Sequence, residues 1–107
     1  MTPAEARAAQ ARAMPEADLQ TLIIELAKVR GWLLWRDNYS QRNRPGWPDL
    51  VLCRRGRLLF LELKSETGRV RPEQAEWLEA LRLVTGVEVH VVRPSAWLSG
   101  AIPALLA

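Results

Sequence analysis

Cysteine is nearly absent: the 107 residues include one, Cys53. That excludes a disulfide framework and a cysteine-based zinc site, and it suits a reducing compartment. Histidine is equally scarce. The single residue, His90, alternates with Val89 and Val91 and reads as a solvated or locally satisfied side chain rather than a ligand. No apolar run approaches the length of a membrane span, and the N-terminus lacks the apolar core of a signal peptide, so the expected location is the cytoplasm. Internal repeats are missing, and the only biased stretch is an Ala- and Arg-rich start. At 49% hydrophobic and 25% charged residues, the composition is that of an ordinary globular protein, far from the disordered range.

The length fits one domain with a small core, for which burying leftover apolar surface against a second copy is a natural route to stability. Five tryptophans are many for such a chain, and some are expected at a subunit interface or binding surface. The net charge of +3 and pI near 9.8 hint at a polyanionic partner. The distribution says more. Between positions 36 and 71 lie Arg36, Arg42, Arg44, Arg54, Arg55, Arg57, Lys64, Arg69 and Arg71, against Asp37, Asp49, Glu62 and Glu66. Arginine is the preferred cation for forked contacts to phosphate, which makes this middle third the place for a nucleic-acid footprint.

Residues 1–15 form an arm, helical or disordered, ahead of a single domain at 16–107. From Glu16 to Arg30, apolar residues at Leu19, Leu22, Ile23 and Leu26 have helical spacing, and Gly31 stops the helix. Trp32 to Trp35 reads as a strand, and the polar stretch from Asp37 to Pro48 as a loop. Two apolar runs then flank a turn at Gly56, the pattern of a β-hairpin. Both runs are apolar at nearly every position, so both faces are expected to be buried, with Cys53 a small buried hydrophobe. A second helix spans Pro72 to Val84, with Trp77, Leu78 and Leu81 facing inward. An alternating strand, VEVHVV, and a short helix with a tail from Ser95 to Leu106 complete an α-β-β-β-α-β order. The fold class is α/β, a sandwich of helices on a mixed central sheet.

Strands buried on both faces should not carry charges, yet one begins with Asp49 and the next ends with Glu62 and Lys64. An unpaired ionised side chain is costly to bury, so such charges must be paired, hydrated or bound to a metal. A hairpin turning about Arg55-Gly56 places Arg54 opposite Arg57, Val51 opposite Phe60, and Asp49 opposite Glu62. Opposed residues have Cβ atoms about 5 Å apart, close enough for two carboxylates to share one cation such as Mg²⁺. Lys64, two residues past Glu62, projects from the same face. A lysine there suits water activation or phosphate stabilisation in phosphodiester hydrolysis. A one-residue slip of the register would separate the two carboxylates.

The run from Gly46 through Pro48-Asp49 to Leu52, then Leu61-Glu62-Leu63-Lys64, then Gly68 to Trp77 resembles the VRR-NUC domain, a branch of the PD-(D/E)XK nucleases. The resemblance covers roughly residues 16 to 93. It implies a restriction-endonuclease-like fold, dependence on Mg²⁺ or Mn²⁺, and cleavage of DNA. Short stand-alone members, associated with phages and bacteria, are similar in layout to Holliday junction resolvases. Such enzymes act as symmetric dimers, so a homodimer or higher homo-oligomer on branched or junction DNA is implied. By position, the resemblance makes Asp49 and Glu62 metal ligands, with the Leu63 carbonyl completing the site, Lys64 the catalytic lysine, and Gln74 an active-site residue. Glu16 takes the place of the family's N-terminal glutamate, as a metal-site or water-mediated ligand, with Gln20 and Glu25 as alternatives. The chain departs from the larger repair nucleases in having no accessory DNA-binding domain.

Arg42, Arg44, Arg69 and Arg71 are candidates for phosphate contacts, as are Arg54, Arg55 and Arg57, with ordinary surface charge as the alternative. Trp47 stands where it can either stack on an unpaired base or pack beside Pro48. Besides a structure-specific endonuclease, three readings stay open: a nickase or restriction-like enzyme, a non-cutting DNA-binding or interaction module, and a structural partner of a helicase or terminase.

Overall fold

The computed structural model describes residues 1–37 and 45–107. Two helices, α1 (Pro3–Ala13) and α2 (Glu16–Val29), lead into strand β1 (Leu33–Arg36). A hairpin of β2 (Leu50–Arg54) and β3 (Arg57–Leu63) follows, then α3 (Pro72–Arg82), β4 (Val87–Val92) and two short helices, α4 (Pro94–Leu98) and α5 (Ala101–Leu105). The arm at the N-terminus is a capped helix. The Thr2 side chain accepts the Glu5 N–H, Pro3 sits in the first turn, and α1 packs on α4.

The four strands form a mixed open sheet in the order β1-β2-β3-β4. β1, β2 and β3 are antiparallel, and β4, reached through the α3 crossover, is parallel to β3. Arg54 opposes Arg57 and Val51 opposes Phe60, which is the expected hairpin register. The turn is tight because Gly56 takes a positive φ of 80° and Arg55 one of 49°.

That register sorts the side chains onto two faces. Leu50, Leu52, Leu59, Leu61 and Leu63 point to one, where Leu19, Ile23 and Ala27 of α2, Trp32, Ile102 and Leu106 close a buried core. Phe60, Glu62 and Lys64 point to the other, under α3 and Trp47. Here one expectation is corrected. β3 is buried on both faces from Leu59 onward, but β2 is not, and Cys53 is exposed. α3 packs toward β4, so among the described residues no helix covers the β1–β2 half of that face. Leu33 is 75% and Trp35 47% exposed. The first strand also starts one residue later than its sequence suggests, because the Trp32 ring is in the core and its Nε1–H donates to the Leu106 carbonyl at 3.1 Å.

Candidate active site

Asp49 lies one step beyond the last paired residues of the hairpin, Leu50 and Leu61. Its carboxylate accepts the main-chain N–H of Leu63 at 2.8 Å, which ties the start of β2 to the end of β3. Glu62 sits beside it with 1% of its surface exposed. One Glu62 oxygen, Oε2, is buried with no hydrogen-bond partner. This carboxyl is raised to about 9, by burial first and then by hydrogen bonding with and repulsion from Asp49, with Lys64 offsetting part of the rise. Lys64 is 7% exposed, and among the described residues its ammonium has no hydrogen-bond or ion-pair partner. Leu63 turns its side chain into the opposite core and offers this face only its main chain.

Asp49, Glu62 and Lys64 line an open cleft of about 430 Å³. Its far wall comes from α2 and α3. Glu16, at the start of α2, faces in, and burial together with the Asp49 charge raises its carboxyl above the ordinary range, against lowering by Lys64 and Arg71. Neither Gln20 nor Glu25 lines the cleft. Gln74, on the first turn of α3, does, and its Oε1 accepts the Arg71 N–H at 2.9 Å, capping the helix. Arg71 stands at the rim, while Arg69 is exposed and outside the lining. Trp47 packs edge-on against Phe60 and Trp77 at centroid distances of 5.7 and 4.9 Å, with its remaining surface on the cleft. Arg42 and Arg44 lie outside the described residues.

Three lining residues carry no sequence signal of their own. Asp37 follows β1 and donates its N–H to the Asp49 carbonyl, a pairing that appears only once β1 is docked on β2. Glu73 precedes Gln74 on the first turn of α3. Gly46 takes a φ of 94°, and a Cβ there would stand 2.2 Å from the Glu73 carbonyl oxygen. Only glycine allows this loop to press its backbone onto the turn that carries Gln74. Arg54 and Arg57, by contrast, are at the opposite end of the hairpin. Both guanidiniums lie over Trp32 and donate to carbonyls of the C-terminal segment.

The donor set fits a divalent cation. Two oxygen ligands side by side, one buried and unpartnered, favour a hard cation that keeps several waters. Among the described residues, no three His, Cys, Asp or Glu side chains gather closely enough to hold a metal by themselves. A cation held there would need main-chain oxygen or water to complete its shell. A family model, the VRR-NUC domain, matches residues 8–96, beginning within α1 and ending within α4. No curated protein and no solved structure matches the chain.

Proposed function

Since this chain belongs to the VRR-NUC domain family, a nuclease family of the PD-(D/E)XK type, we propose that it is a divalent-metal-dependent DNA endonuclease acting on branched DNA. The observation that carries the reading is Glu62, buried without a partner for Oε2 and set between Asp49 and Lys64. A carboxyl so placed is destabilising unless a cation joins it.

Asp49, Glu62 and the Leu63 carbonyl would hold Mg²⁺ or Mn²⁺. When bound, such an ion polarises the scissile phosphate and makes water a better nucleophile. The protein's own groups supply the rest. Lys64 donates N–H to the attacking water or to a phosphate oxygen, where charge builds up in the transition state. Glu16, across the cleft, accepts from an ordered water and so acts at one remove. The amide nitrogen of Gln74 positions the phosphate or that water. The water oxygen bonds to phosphorus and gives up a proton to bulk water, one ester P–O bond breaks, and the departing oxygen takes a proton from bulk water. Arg71 at the rim, Arg69 beside it, and Arg42 and Arg44 neutralise flanking phosphates, with Trp47 available at the cleft wall for an unstacked base.

The open apolar half of the sheet supports a homodimer. Leu33 and Trp35 project from an edge strand, a surface that a second copy would cover. Two sites in one dimer suit cutting both strands of a junction. No described helix is long and apolar enough to cross a membrane. Cleavage of a labelled four-way junction, a splayed duplex and a plain duplex in Mg²⁺, Mn²⁺ and EDTA tests the function, beside Asp49→Asn and Lys64→Ala. Metal-dependent cutting of the junction, lost in both variants, is expected. Binding without cutting on every substrate would make the chain a non-catalytic module.

A further inference from the structure

A second concavity, of about 350 Å³, lies between α1 and α4. Its α1 wall is Arg7, Ala8, Ala11 and Arg12, and the facing wall includes Thr67 and Ser95. The two alanines leave the floor open, and the two arginines stand at its edges. Both arginines are exposed, and among the described residues neither has an ion-pair or hydrogen-bond partner. The one acid in the wall, Glu66, accepts the Ser95 N–H at 3.0 Å and keeps its negative charge.

The groove connects to the cleft through the chain itself. Lys64 lines the cleft, and two residues of the loop that follows it, Glu66 and Thr67, line the groove. That loop is fixed. Arg93 donates to the carbonyls of Ser65 and Gly68 at 2.8 and 2.7 Å, and Gly68 N–H closes a turn on Ser65. Arg71 sits at the other end of the same connection. Arg7 and Arg12 are separated by about 7.5 Å along the helix axis at 1.5 Å per residue. That is on the scale of two charge spacings on one DNA strand.

We infer that α1 is a DNA-binding element: the α1–α4 groove, with Arg7 and Arg12 as its cations, holds the phosphodiester backbone of a strand leaving the cleft over the Ser65–Gly68 loop. This rests on DNA being the substrate. Arginine forks on phosphate supply affinity without sequence preference, and small side chains between them admit the sugar.

The test is the salt dependence of binding to a labelled duplex several turns long, by fluorescence anisotropy with Ca²⁺ as the cation. Arg7→Glu with Arg12→Glu is expected to weaken binding on the order of 10-fold and to flatten the log–log salt slope by about 2, near 0.9 per lost phosphate contact. Arg7→Lys with Arg12→Lys keeps the slope, because charge suffices for it. Arg82→Glu, at the far end of α3, makes half of that charge change away from the groove and keeps the slope. An unchanged slope in the double glutamate variant overturns the inference, as does an equal loss in Arg82→Glu or the absence of DNA binding by the wild type. The same proteins are assayed for cutting in Mg²⁺. If the wild type cuts and the double variant keeps its slope, the groove assignment falls and the nuclease stands. If the slope falls as expected and nothing cuts, the groove stands and the nuclease falls.

Discussion

Replacing Glu62 by glutamine should make the metal-free protein more stable while abolishing its response to divalent metal. The carboxyl ordinarily titrates at 4.5 and in the fold at about 9, because burial and the neighbouring Asp49 disfavour its charge. Between those values the folded chain holds a proton that the unfolded chain has lost, so wild-type stability falls as pH rises from 4.5 toward 9 and is level below 4.5. Each pH unit costs about 1.4 kcal/mol per proton, or about 3 kcal/mol by pH 7. Water in the open cleft screens the charges, which discounts the figure to roughly 1–2 kcal/mol. Glutamine matches the protonated form in shape and needs no proton. Urea unfolding in EDTA should show Glu62→Gln above the wild type by that margin at pH 7, with the gap closing toward pH 4.5. Adding Mg²⁺ should raise the wild type and leave the variant where it was, since a ligand stabilises only the state that binds it. A variant equal to or weaker than the wild type at pH 7, or a gap independent of pH, would refute the reasoning.

Lys64→Ala should lower kcat on the preferred substrate by about 10²-fold or more while leaving the Mg²⁺-induced rise in unfolding temperature intact, because the lysine meets the phosphate and not the cation. Gly46→Ala should destabilise the fold by about 2–3 kcal/mol, since its Cβ would run into the Glu73 carbonyl and its φ disfavours any side chain; thermal melts check this. Glu88→Gln should cost no more than about 0.5 kcal/mol at pH 7 after screening, through loss of the 2.7 Å ion pair with Arg57. The hydrogen bond from Arg57 holds this carboxyl below its ordinary range, so its stabilisation is present above pH 4.5 and lost as pH falls through the lowered value. Melts of both proteins should converge in acid.

Part of this molecule was legible in the order of its residues. The hairpin register follows from two apolar runs and one glycine turn, because strand pairing across a tight turn leaves a single arrangement that keeps the apolar residues in place. That register alone sets Asp49 beside Glu62 and Lys64 on their shared face. Helices α2 and α3 follow from their apolar spacing for the same local reason. Other features depend on which layer covers which part of the sheet. Cys53 looks like a core residue in its strand and is exposed because α3 packs over the other half. Glu16 faces the cleft and Glu25 does not, because only the start of α2 reaches the site in the packed fold. Asp37 meets Asp49 only through the β1–β2 pairing, and Gly46 meets Glu73 only when a loop and a distant helix come together. The C-terminal segment reads as a short helix and tail. Yet Ile102 and Leu106 complete the core, and Arg30, Trp32, Arg54 and Arg57 hold its carbonyls. Local chemistry decides what a segment can form. The burial of a given side chain is set by partners far away in sequence, and only the packed tertiary structure chooses them.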